Sequence, residues 1–213
     1  MDKDKSLLNG KGEDDISWIT VNGAHIPIRD GEDKAAAIKK HFEENESNVK
    51  SNHEKLTNKE WENRLLNEEK QSARDYGNYA ISWNRQLWNG ETPKHSSIKH
   101  LDNLIDSYEL KEPIIVYRNI PTANSEEQDF MSPGYVSTTI DKDKATRDAS
   151  KGYCVVHEYE IPAGKGRGAY INNLVNESYK DVEYEFLLAR NTKFKRIDKK
   201  VVNGVTYIKW RVM

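Results

Sequence analysis

Three short stretches carry residue types that could do chemistry together. In Asp181-Val182-Glu183-Tyr184-Glu185-Phe186-Leu187-Leu188, a period of two sets Glu183 and Glu185 on one strand face and Val182, Tyr184 and Phe186 on the other. Two carboxylates about 6 to 7 Å apart repel unless a cation lies between them or one takes a proton. Fixed in place, such a carboxylate can stabilise positive charge that develops during a reaction. In Val116-Tyr117-Arg118-Asn119 an apolar strand reaches an arginine, whose planar fork suits a phosphate or a carboxylate. In Gly134-Tyr135-Val136-Ser137-Thr138-Thr139 alternation puts Ser137 and Thr139 on one face, Val136 and Thr138 on the other. Taken singly, each has an ordinary reading: an edge strand with a wet acidic face, a structural ion pair, or plain threonine strand propensity. Their order and their shared strand setting make the combination much less accidental.

The elements around them read as helices followed by strands, without a βαβ rhythm, which predicts an α+β fold. Residues 1–15 offer little to bury and read as disordered or linker. Two short strands flank Asn22-Gly23, a hairpin signal because both residues tolerate positive φ, and Asp33 to Glu44 reads as a short helix. Glu46 to Lys55 is polar and reads as a hinge. Thr57-Asn58-Lys59-Glu60 has the form of a capping box opening a long helical region, interrupted at Gly77. Ser96 or Ser97 caps a further helix with Ile98, Leu101, Leu104, Ile105 and Tyr108 on one face. Strands follow at Tyr135–Ile140, Tyr153–Ile161, Val182–Leu188 and Phe194–Ile197, then a hairpin over Val201–Val212 turned at Asn203-Gly204. Asp141 to Gly152 reads as a loop, and Gly164 to Tyr170 as a mobile turn that fits no phosphate-loop spacing. The predicted organisation is thus 1–15 linker, 16–55 a small hairpin-plus-helix connector, and 56–213 the main domain.

The 213 residues are 36% hydrophobic and 32% charged, with a formal net charge of −2. Mean hydropathy is −0.92 and the pI near 6.3, so bulk charge points to neither a nucleic acid nor a membrane surface. Cys154 is the single cysteine; it allows no internal disulfide, and no Cys/His cluster has zinc spacing. The start of the chain lacks the apolar core of a secretory signal, and no run approaches a transmembrane length.

With the three stretches in hand, the chain resembles the bacterial arginine-type mono-ADP-ribosyltransferase toxins, whose signature is Arg, Ser-Thr-Ser and Glu-x-Glu. The likeness extends over about Thr57 to Met213. It includes Glu68-Glu69-Lys70-Gln71-Ser72-Ala73-Arg74-Asp75-Tyr76 with Asn84 and Leu87, and the run Leu187 to Lys195. The segment from Trp18 to Ile28 resembles linkers of phage head-morphogenesis proteins that carry effector domains.

The resemblance implies N-terminal helices packed on a two-sheet mixed β core with a central NAD cleft. It implies transfer of ADP-ribose from NAD to a protein side chain, with NAD as co-substrate and no metal. Catalytic roles then fall to Arg118, which holds the NAD phosphates; Ser137, which positions the catalytic acid; Glu185, the catalytic acid itself; and Glu183, which handles the acceptor. NAD-binding positions would be Tyr117, Arg118, Asn119, Ser137, Thr138, Thr139, Arg147 and Glu185. Acceptor-binding positions would be Glu183, Tyr170 and Tyr179, within or beside a substrate-contacting loop at about 170–180. An acid at 183 favours an arginine acceptor, whereas relatives with Gln there favour others. Thr139 stands where the family usually has Ser, and the segment after it lacks the aromatic residue that often stacks near nicotinamide.

The implied partners are a host target protein presenting an arginine and, as a candidate, a cognate immunity protein, with no nucleic acid and no membrane, for a monomer. The implied setting is a bacterial or phage-encoded toxin or effector, secreted or delivered into a target cell and acting in its cytoplasm. Two alternatives stay open: an NAD glycohydrolase using the same cleft, and a non-catalytic binding domain of a phage or secretion apparatus.

Overall fold

A computed structural model describes residues 16–149, 154–175, 183–202 and 204–213. The chain opens with strands β1 (Ile16–Val21) and β2 (Ala24–Arg29), an antiparallel hairpin with Val21 opposite Ala24. Asn22 and Gly23 turn it with φ of 52° and 87°, as an Asn-Gly turn requires. Its apolar side, Ala24, Ile26 and Ile28, packs on Ala37 at the start of helix α1 (Lys34–Leu56).

Helix α1 is longer than the sequence pattern suggests. The expected hinge at Glu46–Lys55 is continuous helix: only Val49 and Leu56 in this half are buried apolar positions, too few to register as a periodic face. Thr57 ends α1 instead of capping the next helix. Asn58 takes the cap, accepting from the Trp61 amide at 2.9 Å, at the head of α2 (Lys59–Arg64). Helix α3 (Asn67–Trp88) runs through Gly77 without a break. In α4 (Ser97–Ser107) the expected apolar face is buried, with Leu101 and Leu104 at 0% exposure. No serine hydroxyl caps this helix; Ser97 donates to Asp75 at 2.6 Å and ties α4 to α3.

Next come β3 (Glu109–Leu110), β4 (Ile114–Pro121), β5 (Phe130–Ser132) and β6 (Val136–Thr139). The expected loop after β6 contains helix α5 (Lys142–Ala149). It has no apolar stripe to announce it; the Asp141 carboxylate accepts from the amides of Asp143 and Lys144, while Ala145 and Ala149 bury against Val156, Val205 and Tyr207. Strands β7 (Cys154–Ile161), β8 (Gly164–Lys165), β9 (Gly168–Tyr170), β10 (Glu185–Leu188), β11 (Thr192–Val202) and β12 (Val205–Val212) complete the chain. The stretch read as a mobile turn is thus a pair of short strands. The last hairpin forms as expected, with Gly204 at φ 77° and Asn203 outside the described residues.

Eight strands link in the order β5-β11-β12-β7-β4-β6-β10-β9. All neighbours are antiparallel except β7 and β12, so the sheet is mixed. It consists of two parts. β11 through β4 is held by long ladders, with β5 added at its edge, β6-β10-β9 by shorter ones, and a single residue pair, Tyr117 opposite Thr139, joins the two parts. The main core lies between the sheet and α3 and α4, with Tyr76, Trp83, Leu101, Leu104, Phe186 and Trp210 buried. The α+β reading, with helices on a mixed β core, agrees with this architecture, while the two sheets expected are linked through the β4–β6 pair into one eight-stranded sheet.

Candidate active site

Where the two parts of the sheet meet, a cleft of about 470 Å³ opens, within the range of small-molecule sites. Arg118 and Asn119 reach it from β4, Ser137 from β6 and Glu185 from the start of β10. The junction is what separates them: a continuous ladder between β4 and β6 would pair their backbones and leave no gap.

Glu183 and Glu185 both line the cleft, but not through an unbroken strand. Strand β10 begins only at Glu185, and Tyr184 has φ of 45°, so a turn of backbone delivers Glu183. Val182, expected on the strand, lies outside the described residues. Both ways of relieving two neighbouring carboxylates are present. Lys144 on α5 holds Glu183, Nζ to Oε2 at 2.9 Å. Glu185 is pushed up to about 7, chiefly because it is removed from water and also because Glu183 is near; a hydrogen bond from Ser137 and the charges of Arg118 and Lys144 act the other way.

Ser137 is itself held. Its hydroxyl and that of Tyr76 share a hydrogen bond of 3.0 Å, and Asn84 Nδ2 donates to the Tyr76 hydroxyl at 3.2 Å. Asn84 Oδ1 in turn accepts from the amide of Tyr135. Burial pushes the Tyr76 phenol up to about 12, so it stays protonated and polar inside the core. The sequence places Tyr76 and Asn84 in the stretch that carries the family likeness but assigns neither a role at the site. The signal available was the eight-residue step from Tyr76 to Asn84, two helical turns on one face.

Among the other expected positions, Tyr117, Thr138, Thr139 and Arg147 line the same cleft. The Thr138 hydroxyl donates to the Phe186 carbonyl, and Thr139 Oγ1 accepts from the Asp141 amide. Tyr170 is not there. It is 2% exposed, its hydroxyl lies 2.8 Å from His53 Nδ1, and it pairs with Phe186 inside the sheet. Its predicted contact with an acceptor is therefore corrected to a place in the core. Tyr179 lies outside the described residues. Lys144 went unmarked in the sequence, hidden in a stretch read as loop. His157, given no role, is buried between Ser125 Oγ at 2.9 Å and the Tyr159 hydroxyl at 3.1 Å. Burial and nearby Arg118 push its imidazole down to about 4, so it adds no charge beside that arginine.

The family of ADP-ribosyltransferase exoenzymes matches residues 50–211. The chain belongs to that family. No curated protein matches it in sequence. Solved structures do resemble it in fold. Plx2a, an ADP-ribosyltransferase toxin from Paenibacillus larvae, is 20% identical, with a TM-score of 0.65 over 80% of this chain and 96% of that one. C3stau2 from S. aureus, solved with NAD, is 18% identical, with a TM-score of 0.59 over 80% and 94%. Exoenzyme S from Pseudomonas aeruginosa, solved with human 14-3-3 protein beta and bound to carba-NAD, is 14% identical, with a TM-score of 0.53 over 68% and 74%. Family membership makes this chain an ADP-ribosyltransferase of the bacterial toxin class, and its α+β core is the toxin fold. Among the described residues of this family member, no helix is long and apolar enough to cross a membrane.

Proposed function

We propose that the protein cleaves NAD and transfers its ADP-ribose to an arginine of a target protein, releasing nicotinamide. The observation that carries this reading is Glu185, hydrogen-bonded by Ser137 and facing Arg118 across one cleft. Arg118 holds the NAD phosphates, with Asn119 and Arg147 beside it on the cleft wall. The bond from ribose C1′ to the pyridinium nitrogen breaks and its electron pair leaves with nicotinamide, which departs neutral. Oxocarbenium charge builds on the ribose, and Glu185 stabilises it as a preplaced carboxylate. A guanidinium nitrogen of the acceptor bonds to C1′, and Glu183 takes the proton it sheds. The pairing of Glu183 with Lys144 supports a cation-binding role for that carboxylate. In this reading the protein acts as a secreted or delivered toxin inside a target cell.

The test is incubation with labelled NAD and agmatine, following nicotinamide release and label on the acceptor. Wild type is expected to do both. Glu185→Ala should lose about 100 to 1,000-fold in kcat with little change in NAD affinity, because the lost contact strengthens mainly in the transition state. NAD cleavage by wild type with no label on agmatine would replace this reading with a glycohydrolase or a different acceptor. Full activity in Glu185→Ala would overturn the catalytic assignment.

A further inference from the structure

The family match begins at residue 50, yet residues before it fasten a helix that forms part of the cleft wall. Helix α5 supplies Lys144, Ala145 and Arg147 to that wall, and three contacts from the N-terminal segment fasten it. His41 Nε2 lies 3.1 and 3.0 Å from the two oxygens of Asp143, with both side chains mostly buried. Asn45 Nδ2 donates to Asp141 Oδ1 at 3.1 Å, the same oxygen that receives the amides opening α5. The turn of the first hairpin presses on the middle of α5: a β-carbon on Gly23 would stand 2.5 Å from the Arg147 Cα. His41 and Asn45 are one helical turn apart, so one face of α1 holds two successive acidic side chains at the head of α5.

We propose that residues 16–49 brace the acceptor side of the cleft, with His41 and Asn45 as positioning residues acting through α5 on Lys144 and Glu183. This rests on the transfer reading given above. An eight-residue helix without an apolar stripe is marginal alone, so its register depends on what grips its first turn. Lys144 belongs to that turn, and its ammonium fixes one oxygen of Glu183 at 2.9 Å, leaving the other to meet a guanidinium. If α5 loosens, Lys144 wanders, Glu183 loses its aim, and water competes better with the acceptor for the ribose. Glu185 is fixed from the opposite side by Ser137 and Tyr76, so NAD cleavage persists.

The experiment uses the full chain and two readouts. The first is amide hydrogen exchange across α5, independent of any activity. His41→Ala and Asn45→Ala are expected to speed exchange there by tenfold or more while α3 keeps its protection, and His41→Gln, which retains a donor for Asp143, restores most of the loss. Unchanged α5 protection in both alanine variants overturns the brace. The second is the ratio of ADP-ribosyl-agmatine to free ADP-ribose. Both alanine variants should lower it several-fold while nicotinamide release at saturating NAD stays within about twofold. Lys144→Met should lower it similarly, and adding His41→Ala to Lys144→Met should change it no further, since the two act in series. An unchanged ratio in the alanine variants, or additive effects in the double variant, overturns the route through Lys144. Absence of label from wild type would count against the transfer reading alone, because the exchange experiment still judges the brace.

Discussion

Glu185 is asked to be a carboxylate in a place that favours the acid. Loss of water around it is the main cause, with the neighbouring Glu183 adding to it. The folded protein therefore binds a proton there more tightly than the unfolded chain does. The stability this gives is full below the ordinary glutamate range and is lost as pH rises through about 7. Activity has the opposite sign. If the carboxylate is the working form, kcat/KM for NAD should climb with pH along an acid limb near 7. In Glu183→Gln that limb should move to lower pH, because a charge that raises Glu185 is gone while the Arg118 and Lys144 charges that lower it remain. A pH–rate profile of the two proteins checks this; an unmoved limb would mean that some other group is titrating. A thermal melt at pH 8 completes the argument, since Glu185→Gln should be more stable there than wild type, as residues strained for function tend to be.

The strand elements were more legible in the sequence than the helices. Arg118, Ser137 and Glu185 each sit in a short stretch where a period of two shows which side chains share a face, and the cleft does gather them. Glu183 reaches the same cleft by a different route, since Tyr184 adopts a positive φ that alternation does not foresee. The C-terminal half of α1 and the whole of α5 escaped notice because little of either is apolar; contacts distant in sequence supply what their own residues do not. Tyr170 went astray for a related reason: a tyrosine near a loop looks available, and only the fold reveals His53 holding its hydroxyl. Strand β9 also depends on a residue whose importance needs three dimensions. A β-carbon on Gly168 would come within 2.5 Å of the Leu187 carbonyl oxygen and 2.6 Å of the Phe186 ring, both in β10. Gly168→Ala must push these strands apart and should cost about 1 to 3 kcal/mol, measurable by urea unfolding. It should also lower turnover, because β10 carries Glu185; a neutral outcome would show that β9 can shift freely.

At the scale of the whole molecule, the main core, the small core under α5 and the N-terminal hairpin are three separate apolar clusters. Polar contacts add to the ties that these clusters make between distant segments. Arg190 grips Asp102 with contacts of 2.7 to 3.1 Å, and the Tyr135 hydroxyl donates to the same carboxylate at 2.6 Å, joining α4 to the segments that flank β10 and β6. Part of the 32% charged composition thus serves as internal fastenings. Among the described strands, the narrowest junction is the single residue pair between β4 and β6. Fabric tears at a seam, and a seam one residue pair wide lets the panels on either side breathe without unravelling. A bound dinucleotide lying across it would act as a second row of stitches. Amide exchange near Tyr117 and Thr139 should therefore slow on adding NAD far more than exchange in the β7 and β12 ladder, and equal slowing in both would mean that the sheet moves as one cloth.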